Sequence, residues 1–329
     1  MPPLKDEKLL SRSKEPEDSR GALEAFIAGI SVQKIQRLGK LFGTLVFHLD
    51  FAHRRIVRRN LKFIHSDWPR GRIREFSKRI FQNLGITFAE ICQMMFLSKN
   101  DILSRVTISG IENLSDALKA GKGAIMISAH LGNWEMAALV APFYLDTPVA
   151  AVARKLRFEP INKFIVRLRS RFGFKVIDKE GALPEMRQVL RRGEILGILI
   201  DQGTRRSEGI DVTFFGRKVR ATPSAALLAL RCRSPVIPVF CVREPGGGLS
   251  AIIESPLKLE RTGDLRTDLT INTQNMTDAI EKAVWNYPDQ WFWVHKRWKH
   301  HYPDMFPEYQ KRRKRRRARK NRKRGREIS

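Results

Sequence analysis

One stretch, residues 125–135, constrains the fold of this 329-residue chain more than any other part of the sequence. It begins with five uncharged residues at 125–129, which is typical of a buried parallel strand. Gly132 then marks a turn, and a helix is predicted to start at Trp134. His130 therefore follows the end of a strand, which is where open α/β sheets place their ligand crevices.

Two hypotheses account for Glu135, which lies five positions after His130 in the first turn of the predicted helix. In the first, its carboxylate holds one ring nitrogen of His130, and the other nitrogen takes a proton from a substrate hydroxyl. In the second, the two residues are neighbours by chance, because an acidic residue in a first turn stabilises a helix through the helix dipole alone. Spacing by itself does not choose between them.

The order of predicted elements indicates an α/β fold. Its mixed, largely parallel sheet is flanked by helices and preceded by an N-terminal helical layer. Up to about residue 104 the apolar spacing is helical, with segments at 21–49 and 71–97. Further along, predicted strands lie at 106–109, 125–129, 149–153, 175–177, 195–200, 236–242 and 249–253. The helices between and after them are predicted at 111–120, from 134, and at 160–172, 183–192, 224–232 and 273–287.

These patterns divide the chain into four parts. Residues 1–20 are polar and are interpreted as a flexible lead, and residues 21–104 as amphipathic helices that contact a membrane interface. Residues 105–305 form the predicted α/β domain, and residues 306–329 a disordered polybasic tail.

Three polar or charged residues follow separate predicted strands, namely His130, Arg154 and Asp201. Because the carboxyl ends of parallel strands meet at one edge of a sheet, we expect these side chains to converge there. Convergent polar groups at such an edge are typical of an active site.

The net charge of +28 points to a polyanionic partner. Residues 311–326 contain thirteen Lys or Arg and no acid, yet more than half of the net charge lies outside this run. Such a field attracts either nucleic acid or the anionic inner face of a membrane, and charge alone does not distinguish them. Near an anionic bilayer, a polybasic run gains about 1 kcal/mol per Lys or Arg.

Composition also excludes several classes of protein. Hydrophobic residues make up 42% of the chain, which excludes wholesale disorder. Three scattered cysteines do not form a disulfide framework, and no Cys/His cluster has the spacing of metal ligands, so we predict no metal and no cofactor. No stretch reaches the roughly eighteen apolar residues that cross a bilayer. In the segment at 21–49, Lys34, Arg37 and Lys40 interrupt the apolar spacing, which is compatible with a helix packed on the protein, lying in a membrane interface, or both.

Several segments, in order along residues 32–300, resemble the late acyltransferases of lipid A biosynthesis and their wider lysophospholipid acyltransferase relatives. The first is His130-Leu131-Gly132-Asn133-Trp134-Glu135, a histidine followed after four residues by an acid. Arg154 stands where the second block of the family carries an arginine. The other matching segments lie at 201–203, 212–216, 234–240 and 288–299.

This resemblance implies a glycerolipid acyltransferase-like fold and a peripheral or monotopic enzyme on the cytoplasmic face of a bacterial inner membrane. The implied reaction moves a fatty acyl chain from acyl-carrier protein to a hydroxyl of a lipid A precursor, an anionic membrane glycolipid. His130 is the implied general base, and Glu135 the residue that orients it.

The implied substrate-binding residues are Arg154, Asp201, Gln202, Arg205 and Arg206. Guanidinium groups bind phosphate in a bidentate manner, so the three arginines are assigned to phosphate groups. Asp201 has two interpretations: it orients the acceptor or fixes Arg154, or it forms a structural salt bridge at the sheet edge.

Alternatives to this function remain open. The acceptor is a lipid A precursor, a phosphatidylinositol mannoside or another lysolipid, and the donor is a carrier-protein or a coenzyme A thioester. A different class is a nucleic-acid-binding protein that uses the basic tail and the aromatic residues at 291–298. Those rings, interleaved with cations, would stack on bases, lie in a headgroup interface or pack inside the protein.

Overall fold

The computed structural model describes residues 21–153, 158–179, 181–204 and 208–311. The predictions for the lead at 1–20, for Arg154, Arg205 and Arg206, and for the tail beyond residue 311 lie outside the described residues. The first layer is helical, as predicted. It consists of α1 (Ala22–Gly29), α2 (Val32–Leu49), α3 (Phe51–Ile64), α4 (Arg70–Met94) and α5 (Lys99–Ser104).

Glycines allow α2 and α4 to cross with their backbones in contact. A Cβ atom on Gly43 would lie 2.2 Å from the carbonyl oxygen of Phe81, and one on Gly85 would lie 2.2 Å from the carbonyl oxygen of Gly39. Any side chain at these positions would push the two helices apart. The glycines of α2 lie on its buried side, which leaves the opposite side of the helix exposed.

The exposed side of α2 is apolar and basic. We call its apolar part the apolar face of α2, which comprises Leu38, Leu41, Phe42, Leu45 and Leu49. The three cations of this helix are also exposed, and Phe51 of α3 and Phe88 of α4 add exposed rings. Within the ranges given above, no helix combines the length and the apolar character that crossing a bilayer requires.

The second layer is α/β. Its strands in chain order are β1 (Val106–Ser109), β2 (Ala124–Ser128), β3 (Val149–Ala153), β4 (Lys175–Asp178), β5 (Ile195–Leu199), β6 (Ile210–Phe214), β7 (Arg217–Ala221), β8 (Val236–Arg243) and β9 (Leu249–Ile253). Its helices are α6 (Ile111–Lys119), α7 (Trp134–Leu145), α8 (Glu159–Arg171), α9 (Leu183–Arg191), α10 (Ser224–Cys232) and α11 (Leu265–Asn286).

Among the described residues, seven strands form one sheet in the order β1-β9-β8-β2-β5-β3-β4. The strands from β8 to β4 are parallel to one another, whereas β8 and β9 are antiparallel. β2 is buried along almost its whole length, as the uncharged run at 125–129 predicted. The predicted fold class is therefore confirmed: a mixed, largely parallel sheet flanked by helices and preceded by a helical layer.

Some elements are longer than predicted or were not predicted. The hairpin of β6 and β7 turns through Phe215 and Gly216, both with positive φ, at 52° and 65°. These two strands were not predicted, because they carry charged residues and only short apolar runs. α11 begins eight residues earlier than predicted, because Asp264 caps it by accepting a hydrogen bond from the Thr267 amide at 2.8 Å.

Candidate active site

The order of the strands brings His130 and Asp201 together. β2 and β5 are parallel neighbours, and Ser128 lies opposite Leu199 at their carboxyl ends. Each of the two polar residues follows its strand by two positions, so both emerge at the same edge. β3 lies on the other side of β5 and ends at Ala153, directly before Arg154. The predicted convergence is confirmed for the first two residues.

The Asp201 carboxylate holds His130 through both the ring and the backbone. Oδ1 of Asp201 lies 2.8 Å from Nδ1 of His130, and Oδ2 accepts the His130 backbone amide at 3.1 Å. The indole Nε1 of Trp291 donates a third hydrogen bond to Oδ2, at 2.9 Å. Because an ionised carboxylate only accepts hydrogen bonds, the proton of neutral His130 lies on Nδ1, and Nε2 keeps its lone pair.

The ring of His130 remains accessible, whereas its partner is sealed from solvent. The side chain of His130 is 22% exposed and that of Asp201 is 1% exposed. The rings of Trp134 and Phe292 flank the imidazole at centroid distances of 5.3 and 5.7 Å. The imidazole of His130 is therefore accessible to a reactant, whereas the carboxylate that orients the ring is shielded from water.

Gln202 lies over the face of this imidazole. Its Nε2 is 3.3 Å from Nδ1 of His130 and 3.4 Å from Nε2. If the amide nitrogen of Gln202 lay in the plane of the ring at these nearly equal distances, it would collide with Cε1 of His130. It therefore lies above the ring and leaves the in-plane lone pair of Nε2 free. Gln202 is thus placed to contact a group that approaches the histidine.

Charges around the pair keep Asp201 ionised. Burial by itself would raise the pKa of Asp201, but the attraction between its carboxylate and the protonated form of His130, together with the hydrogen bonds, lowers that pKa to about 2. Burial, together with the charge of Lys299, lowers the pKa of the neighbouring His295 to about 3, so that ring is neutral near pH 7. Burial also lowers the pKa of Arg297 to about 10, which leaves the guanidinium charged. The environment of Asp201 is therefore neutral or cationic.

The predicted contact between Glu135 and His130 is wrong. Glu135 lies in the first turn of α7, as expected, but its carboxylate accepts two hydrogen bonds from Arg169 of α8. These run from Nη2 at 2.7 Å and from Nε at 3.0 Å, a bidentate arrangement. The five-residue spacing brings Glu135 near the histidine in sequence, but it does not fix the direction in which the helix presents its side chains. The carboxylate that orients His130 is Asp201.

We predict that Arg169→Met destabilises the protein by on the order of 3 kcal/mol, because it leaves the mostly buried carboxylate of Glu135 without this guanidinium. Urea unfolding measures the change. The control is Lys119→Met, which removes an exposed pair with Asp116 and is expected to cost less than about 1 kcal/mol. Equal costs for the two variants would show that the Glu135–Arg169 pair does not stabilise the packing of α7 on α8.

The segment after α11 forms one wall of the site. The Phe292 amide donates to the carbonyl oxygen of His130 at 2.9 Å, and the Gly132 amide donates to that of Gln290 at 3.1 Å. Gly132 has a φ of 58°, and a Cβ atom there would lie 2.1 Å from the carbonyl oxygen of Cys241. The loop after β2 therefore requires glycine at this position.

The aromatic residues at 291–298 pack inside the protein. Trp291, Trp293 and Trp298 are at most 1% exposed, and their rings contact one another and Phe214. Rings in this position do not stack on bases. Of the three interpretations of this cluster, the structure supports internal packing for the tryptophans.

The described part of the chain offers no group of three or more His, Cys, Asp or Glu residues able to hold a metal ion. Cys92, Cys232 and Cys241 are free thiols. The groups that the described residues bring together at the sheet edge are an oriented imidazole and a buried carboxylate.

Comparison with known proteins identifies relatives of this chain. The sequence profile of the bacterial lipid A biosynthesis acyltransferase family matches residues 22–300. The chain is 28% identical to a phosphatidylinositol mannoside acyltransferase of Mycolicibacterium smegmatis over 201 residues, 59% of this chain and 62% of that protein. It thus spans about three fifths of the length of the mannoside acyltransferases that it matches. It is also 23% identical to the lipid A biosynthesis lauroyltransferase of Escherichia coli over 266 residues, 80% of this chain and 85% of that protein.

Proposed function

This chain belongs to the bacterial lipid A biosynthesis acyltransferase family, and on that premise we propose that it is an O-acyltransferase acting on an anionic membrane glycolipid. The proposed acceptor is a lipid A precursor, and the proposed donor is the acyl thioester of acyl-carrier protein. The observation that carries the chemistry is the 2.8 Å contact between Nδ1 of His130 and the buried Asp201 carboxylate. That contact leaves Nε2 free as a base.

The proposed reaction proceeds by direct attack. Nε2 of His130 takes the proton of the acceptor hydroxyl as its oxygen attacks the thioester carbonyl carbon. The carbon–sulfur bond then breaks, and the imidazolium returns its proton to the leaving thiolate. The products are an ester and a free thiol, with no acyl group on the protein. Asp201 stabilises the imidazolium that forms between the two proton transfers.

Substrate contacts are proposed for the residues around this pair. Gln202 lies beside both imidazole nitrogens, where its amide can donate to the thioester carbonyl oxygen or to the acceptor. In the sequence, Arg154 directly follows the last residue of β3, and Arg205 and Arg206 follow Gln202 by three and four residues. We assign these arginines to acceptor phosphates, because a guanidinium binds phosphate through two parallel hydrogen bonds.

Glu135 has a different proposed role from the one that its spacing suggested. Through Arg169 it fixes the start of α7, and so the end of the loop that carries His130, against α8. We therefore treat Glu135 as a residue that positions the base without touching it.

Mass spectrometry of products tests the proposed function. The purified protein is incubated with acyl-carrier-protein and coenzyme A thioesters, each offered with a lipid A precursor, a phosphatidylinositol mannoside or a lysophospholipid. We expect an ester on the lipid A precursor from the carrier-protein thioester. Transfer to the mannoside alone would change the acceptor but keep the chemistry, whereas no ester on any acceptor would contradict the proposal.

We propose that the protein lies on the cytoplasmic face of a bacterial inner membrane, held at the interface by α2. The apolar face of α2 carries five large exposed side chains, with Lys34, Arg37 and Lys40 on the same helix. Apolar side chains bordered by cations are typical of helices that lie in the headgroup region of anionic membranes. Such a position would bring the protein to its glycolipid acceptor.

The double variant Leu41→Ser/Leu45→Ser is predicted to weaken binding to phosphatidylglycerol-containing vesicles by at least about tenfold. Each leucine that enters the bilayer contributes up to roughly 2 kcal/mol to the free energy of membrane binding. Both leucines are more than half exposed, so the thermal midpoint should not change. Vesicle sedimentation measures the effect. Leu265→Ser, an exposed leucine on α11, is the control, and an equal loss of binding in both variants would exclude α2 as the contact surface.

A further inference from the structure

A buried ion pair lies under the loop that carries His130. Nη1 of Arg243, at the end of β8, donates to Oε2 of Glu90 on α4 at 3.0 Å. Their side chains are only 6% and 5% exposed. The pair joins the helical layer to the sheet at the point where the loop between β2 and α7 passes over it.

Two contacts connect this ion pair to the loop itself. Nδ2 of Asn133, the residue that caps α7, donates to Oε2 of Glu90 at 3.1 Å. The hydroxyl of Thr87 accepts from Nη2 of Arg243 at 3.0 Å and donates to the carbonyl oxygen of Gly132 at 2.9 Å. The second and third residues after His130 are therefore bonded to the pair directly or through one hydroxyl.

Other elements converge on the same pair. Nε2 of Gln36 on α2 donates to Oε1 of Glu90 at 3.0 Å and to the carbonyl oxygen of Gly247 at 2.8 Å. The side chain of Gln290 bonds to the backbone of Arg243 at both its amide and its carbonyl group. The pair thus joins two helices, the end of β8 and the wall segment of the site.

Stability alone is a weak reason to place such a pair in a protein interior. Taking two charges out of water costs several kcal/mol per ion, and a well-packed apolar pair of similar size is often as stable or more so. What an apolar pair cannot supply is a directed hydrogen bond to Asn133 and Thr87. Displacing a catalytic group by about 1 Å can lower the rate on the order of 100-fold, so the orientation of the loop that carries His130 affects the rate.

We propose that Glu90 and Arg243 are positioning residues for His130, acting through Asn133 and Thr87. This inference rests on the proposed function of His130 as the base. The pair fixes where the loop leaves the sheet edge, and with it the direction of Nε2 towards the acceptor. Loss of this network lowers kcat and leaves the KM for both substrates nearly unchanged.

The first test is Thr87→Val, which keeps the shape of the side chain and removes the hydroxyl between Arg243 and Gly132. We expect kcat to fall about tenfold with KM within about twofold. The matched control is Thr277→Val, because this buried threonine on α11 bonds only to the carbonyl oxygen of Thr273 among the described contacts. Both variants should have a lower thermal midpoint than the wild type, but only the first should lose kcat.

The second test is the double variant Glu90→Met/Arg243→Met. The apolar pair should raise the thermal midpoint above that of either single variant, because no unpaired charge remains buried. Activity should stay at least about tenfold below wild type, since Asn133 still lacks Glu90 and Thr87 still lacks the guanidinium of Arg243. Recovery of kcat together with stability would overturn the proposal, as would a kcat for Thr87→Val equal to that of Thr277→Val.

These outcomes are separate from a failure of the proposed function. If His130→Ala retained transfer, the base itself would be wrong. If His130→Ala lost transfer while Thr87→Val and the double methionine variant kept full kcat, the base would stand and only the positioning role of the pair would fall.

Discussion

His130→Ala should lower acyl transfer by on the order of 10²–10⁴-fold, the range expected when a general base is removed. A lipid hydroxyl is a poor nucleophile until its proton is taken, and the proposed base is Nε2 of the partly exposed His130 imidazole, whose Nδ1 is held by Asp201. The fold should persist, because Asp201 keeps its hydrogen bonds from Trp291 and from the backbone of residue 130. Product formation by mass spectrometry and the thermal midpoint measure the two effects.

His301→Ala is the matched control for this variant. His301 is also 22% exposed, and its Nε2 lies 2.9 Å from the carboxylate of Asp211, so it forms a second histidine–aspartate pair. Its removal should leave transfer unchanged. Transfer retained in His130→Ala, or lost equally in both variants, would contradict the assignment of His130 as the base.

Asp201→Asn should lower kcat by on the order of 10³-fold or more, because an amide no longer requires the proton on Nδ1 and lets the imidazole adopt the wrong tautomer. The ionised carboxylate is favoured in the native site, where its pKa is about 2. An asparagine has nearly the same shape and can still accept from Trp291, so loss of packing does not explain the effect. Single-turnover kinetics with a saturating thioester measures it.

Asp268→Asn controls for the loss of any buried carboxylate. Asp268 of α11 is 7% exposed. Its Oδ1 accepts hydrogen bonds from the amide and the hydroxyl of Thr262, which lies just before this helix. This variant should lose stability but keep kcat. If Asp201→Asn transferred acyl groups within about tenfold of the wild-type rate, the carboxylate would not control the tautomer.

The sequence predicted which residues meet at the sheet edge better than it predicted their roles. His130 follows an uncharged strand, so its position could be predicted from the local sequence pattern alone. Asp201 lies 71 residues further along, and its contact with His130 depends on β5 being the neighbour of β2. Strand order is set by packing of the whole domain, so the interpretation of Asp201 stayed open at the level of sequence.

Glu135 is the opposite case, because it is close to His130 in sequence but does not bond to it in the structure. Its closeness to His130 in sequence suggested contact, yet the start of α7 presents its carboxylate to Arg169 of α8. Short spacing fixes distance along the chain, but the direction of a side chain depends on how the helix packs. The residues under the loop, such as Glu90 and Thr87, could not be predicted as part of the site, because the sequence of their segment, 71–97, indicated only an amphipathic helix.

Regular elements were the most predictable part of the fold. Strands such as β2, β3 and β9 are short, apolar runs, and the structure has them within a residue of their predicted bounds. β6 and β7 were not predicted, because their buried residues alternate with charged ones and their register depends on pairing. α3 lies inside the predicted helical layer but was not predicted as a separate helix, although Asp50 caps its first turn.

Asp201 is proposed to hold the proton of the neutral His130 imidazole on Nδ1, which leaves Nε2 as the base. Nitrogen-15 NMR of histidine-labelled protein tests it, with the His130 signals assigned by their loss in His130→Ala. For the neutral imidazole we expect a protonated Nδ1 and an unprotonated Nε2 in the wild type and in Glu135→Gln, and loss of this pattern in Asp201→Asn. A neutral imidazole with its proton on Nε2 in the wild type, or a pattern that changes in Glu135→Gln and survives in Asp201→Asn, would show that Asp201 does not set the tautomer.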